Sequence, residues 1–78
     1  MLTNPTKVKH IIQLNDRHIK VYSSLKKYIN VHGHPPSLRE LALTTNISLS
    51  LIHKYLTDLE GLGYIERKSN RSRSIRIL

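Results

Sequence analysis

The chain has 78 residues, with 13 Lys and Arg against 5 Asp and Glu, a formal net charge of +8 and no cysteine. That length holds one small domain with a modest core, and the lack of thiols excludes disulfides and cysteine-based metal sites. No apolar run is long enough to span a bilayer and no signal-peptide pattern opens the chain, so the expected setting is the cytoplasm or nucleoid.

Residues 1–14 are the least regular part. Asn4-Pro5 favours a turn. The KVKHIIQL stretch (7–14) suits a short helix or a strand equally. A weakly packed extension is expected, because termini are usually poorly tied down. The alternatives are a basic arm through Lys7 and Lys9 or an apolar dimer contact through Ile11 and Ile12.

Asn15 reads as an N-cap, and Asp16 suits the positive end of the helix dipole, so a helix is predicted over 16–31. Val21, Leu25, Tyr28 and Ile29 make its buried stripe, with Tyr22 sharing the seam; Lys20, Lys26 and Lys27 stay outside. Gly33 closes the helix. His32 and His34 flank that glycine, but together with His10, His18 and His53 they form no recognisable ligand spacing, and no metal or cofactor is expected.

Pro35 and Pro36 resist helical entry, and Ser37 stands three residues before Glu40, the spacing of a capping box. A short helix over 38–44 follows, with Leu38, Leu41 and Ala42 on one stripe. Thr44, Thr45 and Asn46 read as the turn, since Thr is a poor helix-interior residue and Asn tolerates the left-handed conformation. Ile47 should point into the core and Ser48 cap the next helix, over 49–60, which Gly61 and Gly63 end. Ile52, Leu56 and Leu59 are its buried positions. Ser50, His53, Lys54 and Thr57 are left on the opposite face, short hydrogen-bonding or basic side chains of the kind that meet base edges and phosphates. Two capped helices around a three- or four-residue turn form a helix-turn-helix pattern.

After Gly63 the pattern changes to period two: 64–67 and 74–78 read as strands around the polar loop KSNRSR. The predicted fold is therefore mainly α with a small β-hairpin, a winged helix-turn-helix of three helices plus a two-stranded wing. The wing, 67–74, carries Lys68, Arg71 and Arg73, able to meet phosphates or the minor groove. Charge follows the same plan. Residues 1–36 hold six cations against Asp16, and residues 64–78 hold five against Glu66. The helical pair between them is near neutral, with Arg39 and Lys54 against Glu40, Asp58 and Glu60. Base reading in the centre with phosphate contacts on both sides is the footprint of a duplex binder.

With the proline loop and wing in place, residues from about 15 to 78 resemble the N-terminal DNA-binding domain of the LexA repressors. The resemblance lies in Gly33-His34-Pro35-Pro36-Ser37, in Arg39-Glu40-Leu41-Ala42, in Leu56-Thr57-Asp58-Leu59, in Gly63-Tyr64-Ile65-Glu66-Arg67, and in the closing Arg73-Ser74-Ile75-Arg76-Ile77-Leu78. It implies a transcriptional repressor. The stretch between Ala42 and Leu56 is about one residue shorter than in those repressors, and the reading-face residues differ, so the operator does not carry over. The family's second domain, with its Ala-Gly cleavage site, Ser–Lys pair and dimer interface, does not lie in these 78 residues. That fits a fragment of a longer protein or a stand-alone winged helix from a phage or plasmid.

The expected function is sequence-specific binding of double-stranded DNA, with 49–60 in the major groove. Ser50, His53, Lys54 and Thr57 would read bases, while Ser37, Arg39, Ser48, Lys68, Arg71 and Arg73 would hold the backbone or minor groove. A homodimer on a palindromic site is expected, because one small module binds weakly. The rival reading is a protein-interaction winged helix that binds an acidic regulatory partner. Neither a membrane partner nor a small-molecule substrate is indicated, and no nucleophile, base and orienter share a spacing that would make an enzyme.

Overall fold

The computed structural model describes residues 14–68 and 74–78. Three helices and one antiparallel hairpin follow in order: α1 (Asp16–His32), α2 (Leu38–Thr45), α3 (Leu49–Gly61), β1 (Ile65–Arg67) and β2 (Ile75–Ile77). This is a winged helix-turn-helix. No helix among the described residues is long and apolar enough to cross a membrane.

Each helix begins where its capping chemistry places it. The Asn15 side chain accepts from the backbone N–H groups of Arg17 and His18 at 2.9 and 3.0 Å. In return, the Asn15 N–H donates to His18 Nδ1 at 3.1 Å, so a histidine takes the reciprocal role usually held by Glu or Gln. Ser37 and Glu40 make the predicted capping box, with bonds of 3.0 and 2.7 Å. Ser48 caps α3 through Leu51 N–H. Helix ends are governed by backbone conformation: Gly33 at φ +78° closes α1, and Asn46 at φ +59° closes α2. A left-handed residue costs least with glycine or asparagine at these places.

The turn between α2 and α3 has three residues, within the three or four expected, but it starts later than the threonines suggested. Thr44 and Thr45 belong to α2, and only Asn46, Ile47 and Ser48 separate the helices. Thr45 is fully buried, and its hydroxyl donates to the Leu41 carbonyl at 2.7 Å. That internal bond lets a poor helix former end the helix inside the core. Gly61 likewise lies within α3; Leu62 caps it, and Gly63 at φ +86° turns the chain into the hairpin.

The core joins all five elements. Val21 and Leu25 of α1, Leu41 of α2 and Ile47 of the turn pack with Ile52, Tyr55, Leu56 and Leu59 of α3, and with Ile65 and Ile75 of the hairpin. Two members of the predicted α1 stripe are not fully buried: Ile29 packs against the core partly exposed, and Tyr28 stays outside it. Tyr28 is only half-buried and its ring packs on His32, with centroids 4.1 Å apart. His18 takes the buried place one turn before Val21 instead. In the hairpin Ile65 faces Ile77, Glu66 faces Arg76 and Arg67 faces Ile75. Alternation thus puts Ile65, Arg67, Ile75 and Ile77 on one face, and Glu66 and Arg76 on the other as a 2.6 Å ion pair.

Candidate nucleic-acid interface

Burial of Ile52, Tyr55, Leu56 and Leu59 determines which side of α3 faces outward. Ser50, His53, Lys54 and Thr57 are all exposed on that side, at the positions predicted for them. The start of α2 meets the start of α3 beside them: Ser37, Leu38, Arg39, Leu49 and His53 line one shallow groove. Exposed Arg39 and His53 therefore stand together, next to the positive ends of two helix dipoles. Two of the backbone candidates are also caps. Ser37 and Ser48 each accept a bond from their own helix and keep a hydroxyl proton to donate. Ser50 Oγ lies 3.5 Å from Ser48 Oγ.

The far end of the exposed α3 face is tied to the hairpin. Arg67, on the inward face of the hairpin, donates from Nε and Nη2 to Glu60 Oε1 at 3.2 and 3.0 Å, and from Nη2 to the Thr57 hydroxyl at 3.1 Å. Its backbone N–H reaches Glu60 Oε2 at 3.3 Å. Thr57 itself donates to the His53 carbonyl at 2.9 Å. Thr57 thus has its hydroxyl proton committed to its own helix and a lone pair committed to Arg67, which leaves its second lone pair for an incoming donor. The adjoining Lys68 is exposed at the base of the wing. Arg71 and Arg73 lie outside the described residues.

A second network links α1 to α3. His18 Nε2 lies 2.7 Å from Asp58 Oδ2, and the same oxygen accepts from Lys54 Nζ at 3.1 Å. The Asp58 carboxylate is an acceptor, so His18 Nε2 carries the proton of that contact, while Nδ1 lies 3.1 Å from both the backbone nitrogen and the side-chain oxygen of Asn15. The His18 ring also meets Tyr55 edge-on, with centroids 4.7 Å apart. Burial raises the Asp58 pKa, but hydrogen bonds and charge from His18 and Lys54 outweigh it, and the carboxyl is held below the usual 3.8. Its contribution to stability is then complete above that usual value and is lost as pH falls through the lower, folded-state value. Melting temperatures followed from about pH 5 down to about pH 2 should fall more steeply for the unaltered chain than for Asp58→Asn; parallel curves would show that the carboxylate is not so held.

His18, Asp58, Glu60 and Arg67 were not singled out as interface residues by the sequence. Two signals were there. His18 occupies the third helical position after Asn15, and Asp58 follows Lys54 by one helical turn. Arg67 needed the hairpin register. Among the described residues no group of three or more His, Asp or Glu is placed to hold a metal.

The family model for the LexA DNA binding domain matches residues 12–74. The LexA repressor of Clostridium kluyveri is 37% identical over 65 residues, which is 82% of this chain and 32% of the relative. That of Pseudarthrobacter chlorophenolicus is 38% identical over 66 residues, 83% of this chain and 26% of the relative. That of Moorella thermoacetica is 41% identical over 59 residues, 74% of this chain and 29% of the relative. The chain spans about a third or less of the length of these curated relatives.

Proposed function

The chain belongs to the LexA DNA-binding-domain family, and from that premise we propose that it is a sequence-specific, double-stranded DNA-binding transcriptional repressor. The observation that carries the proposal is the exposed face of α3, where Ser50, His53, Lys54 and Thr57 stand clear of a fully buried Ile52, Leu56 and Leu59. A helix of this width fits the major groove, where these side chains meet base edges. Ser37, Arg39 and Ser48 hold phosphates at the helix N-termini, and Lys68, Arg71 and Arg73 hold the backbone or minor groove from the wing.

In this reading residues 15–78 are the DNA-binding unit, residues 1–14 are an N-terminal extension or arm, and the chain works on the nucleoid in the cytoplasm. Two copies bind a palindromic site, since a single small module gives little affinity. The chemistry in this reading is recognition.

Selection of bound duplexes from a random pool tests this at two salt concentrations. A shared, two-fold symmetric motif is the expected result. An asymmetric motif would remove the dimer but keep the sequence reader. Enrichment of nothing, with binding abolished by modest salt, would overturn sequence-specific recognition.

A further inference from the structure

Lys54 stands on the reading face, yet its ammonium is held along its own helix, 3.1 Å from Asp58 Oδ2. A cation placed N-terminal to its acid is the weaker orientation of a helical pair, and an exposed pair of this kind is worth little alone. Here the carboxylate is not free to swing. The same Oδ2 is bonded by His18 Nε2 at 2.7 Å, and His18 is itself buried and fixed through Nδ1 by the Asn15 N–H. Asp58 is therefore a pinned negative charge, with its side chain 16% exposed, at the margin of a surface that must approach a polyanion.

Resting on the DNA-binding reading above, we propose that Asp58 is a specificity-setting residue of the α3 face: clamped by His18, it restrains Lys54 and repels phosphate, so that binding to arbitrary DNA is weakened more than binding to a matching site. On arbitrary sequence Lys54 gains one phosphate only by leaving Asp58, and the carboxylate, still held by His18, then faces the backbone without its lysine. At a site that presents a base acceptor, such as guanine O6 or N7, the three ammonium protons bond base and carboxylate together. His18 acts through Asp58 as a positioning residue, and Asp58 acts through Lys54.

The test follows binding of a short random-sequence duplex by fluorescence anisotropy across a salt series. Asp58→Asn keeps an oxygen for His18 and removes the charge; Asp58→Ser, equally neutral, serves as the second variant, with circular dichroism confirming the fold of each. Both should bind the random duplex several-fold more tightly at low salt, with the salt slope steeper by roughly one unit. Motifs selected from a random pool should be less well defined than those of the unaltered chain. In a Lys54→Gln background the steeper slope should vanish. An unchanged slope in both neutral variants, or the same gain without Lys54, overturns the role of Asp58 while leaving DNA binding intact. Absence of salt-dependent binding by the unaltered chain overturns the DNA-binding reading itself, and this proposal with it.

Discussion

Leu56→Ala should lower the free energy of unfolding by about 2–5 kcal/mol, the range for removing a fully buried leucine and leaving a cavity. Leu56 is completely buried in the cluster that joins α1, α2, α3 and the hairpin. A domain of this size has roughly 4–12 kcal/mol in total, so the substitution takes a large share of it. Small chains bury a smaller fraction of their surface and have little else to compensate. Urea unfolding followed by circular dichroism should show a much lower midpoint with an unchanged slope. Leu43→Ala is the matched control. Leu43 is 78% exposed on α2, and its loss should change stability by no more than about 0.5 kcal/mol. Equal losses for the two leucines would contradict the placement of α3 at the centre of the fold.

DNA affinity should collapse with salt. Under the proposed function Arg39, Lys68, Arg71 and Arg73 each neutralise a phosphate, which gives a slope of log affinity against log salt of roughly −3.6 per protomer. Raising salt from about 50 to about 200 mM should then weaken binding roughly a hundredfold, and more for two copies on one site. Removing a single contributor such as Lys68, by Lys68→Ala, should weaken binding to all sequences about equally and make the slope shallower by roughly one unit. His53→Ala should behave differently, costing roughly 1–3 kcal/mol on the selected site and relaxing the sequence preference there. Indifference to salt would remove phosphate contact as the source of affinity and favour an acidic protein partner.

The same sequence features that fit a DNA reader also explain why the domain can be small. Capping residues start every helix, left-handed Gly33 and Asn46 stop two of them, and one apolar set from each element closes a single core. The His18–Asp58 bond adds a polar tie between α1 and α3, and Arg67 ties the hairpin to the end of α3. The helix α3 and the strands of the hairpin are thus held in one relative orientation, which under the proposed function lowers the ordering cost of binding.

The order of the elements and the starts of the helices are determined by the sequence alone, because they depend on local chemistry. Asn15, Ser37 and Ser48 each satisfy N–H groups two or three residues ahead, Asn46 and Gly33 accept positive φ, and the apolar spacing of Ile52, Leu56 and Leu59 leaves one possible outer face for α3. The candidate reading residues follow from that face. Tertiary structure alone decided what restrains them. Asp58 meets His18 across 40 residues, and Arg67 reaches Glu60 and Thr57 only once the hairpin has folded back on α3. Thr45 is buried, where its propensity suggested a turn, because its hydroxyl bonds the Leu41 carbonyl. Partners like these depend on distances between elements, and neither periodicity nor propensity carries that information.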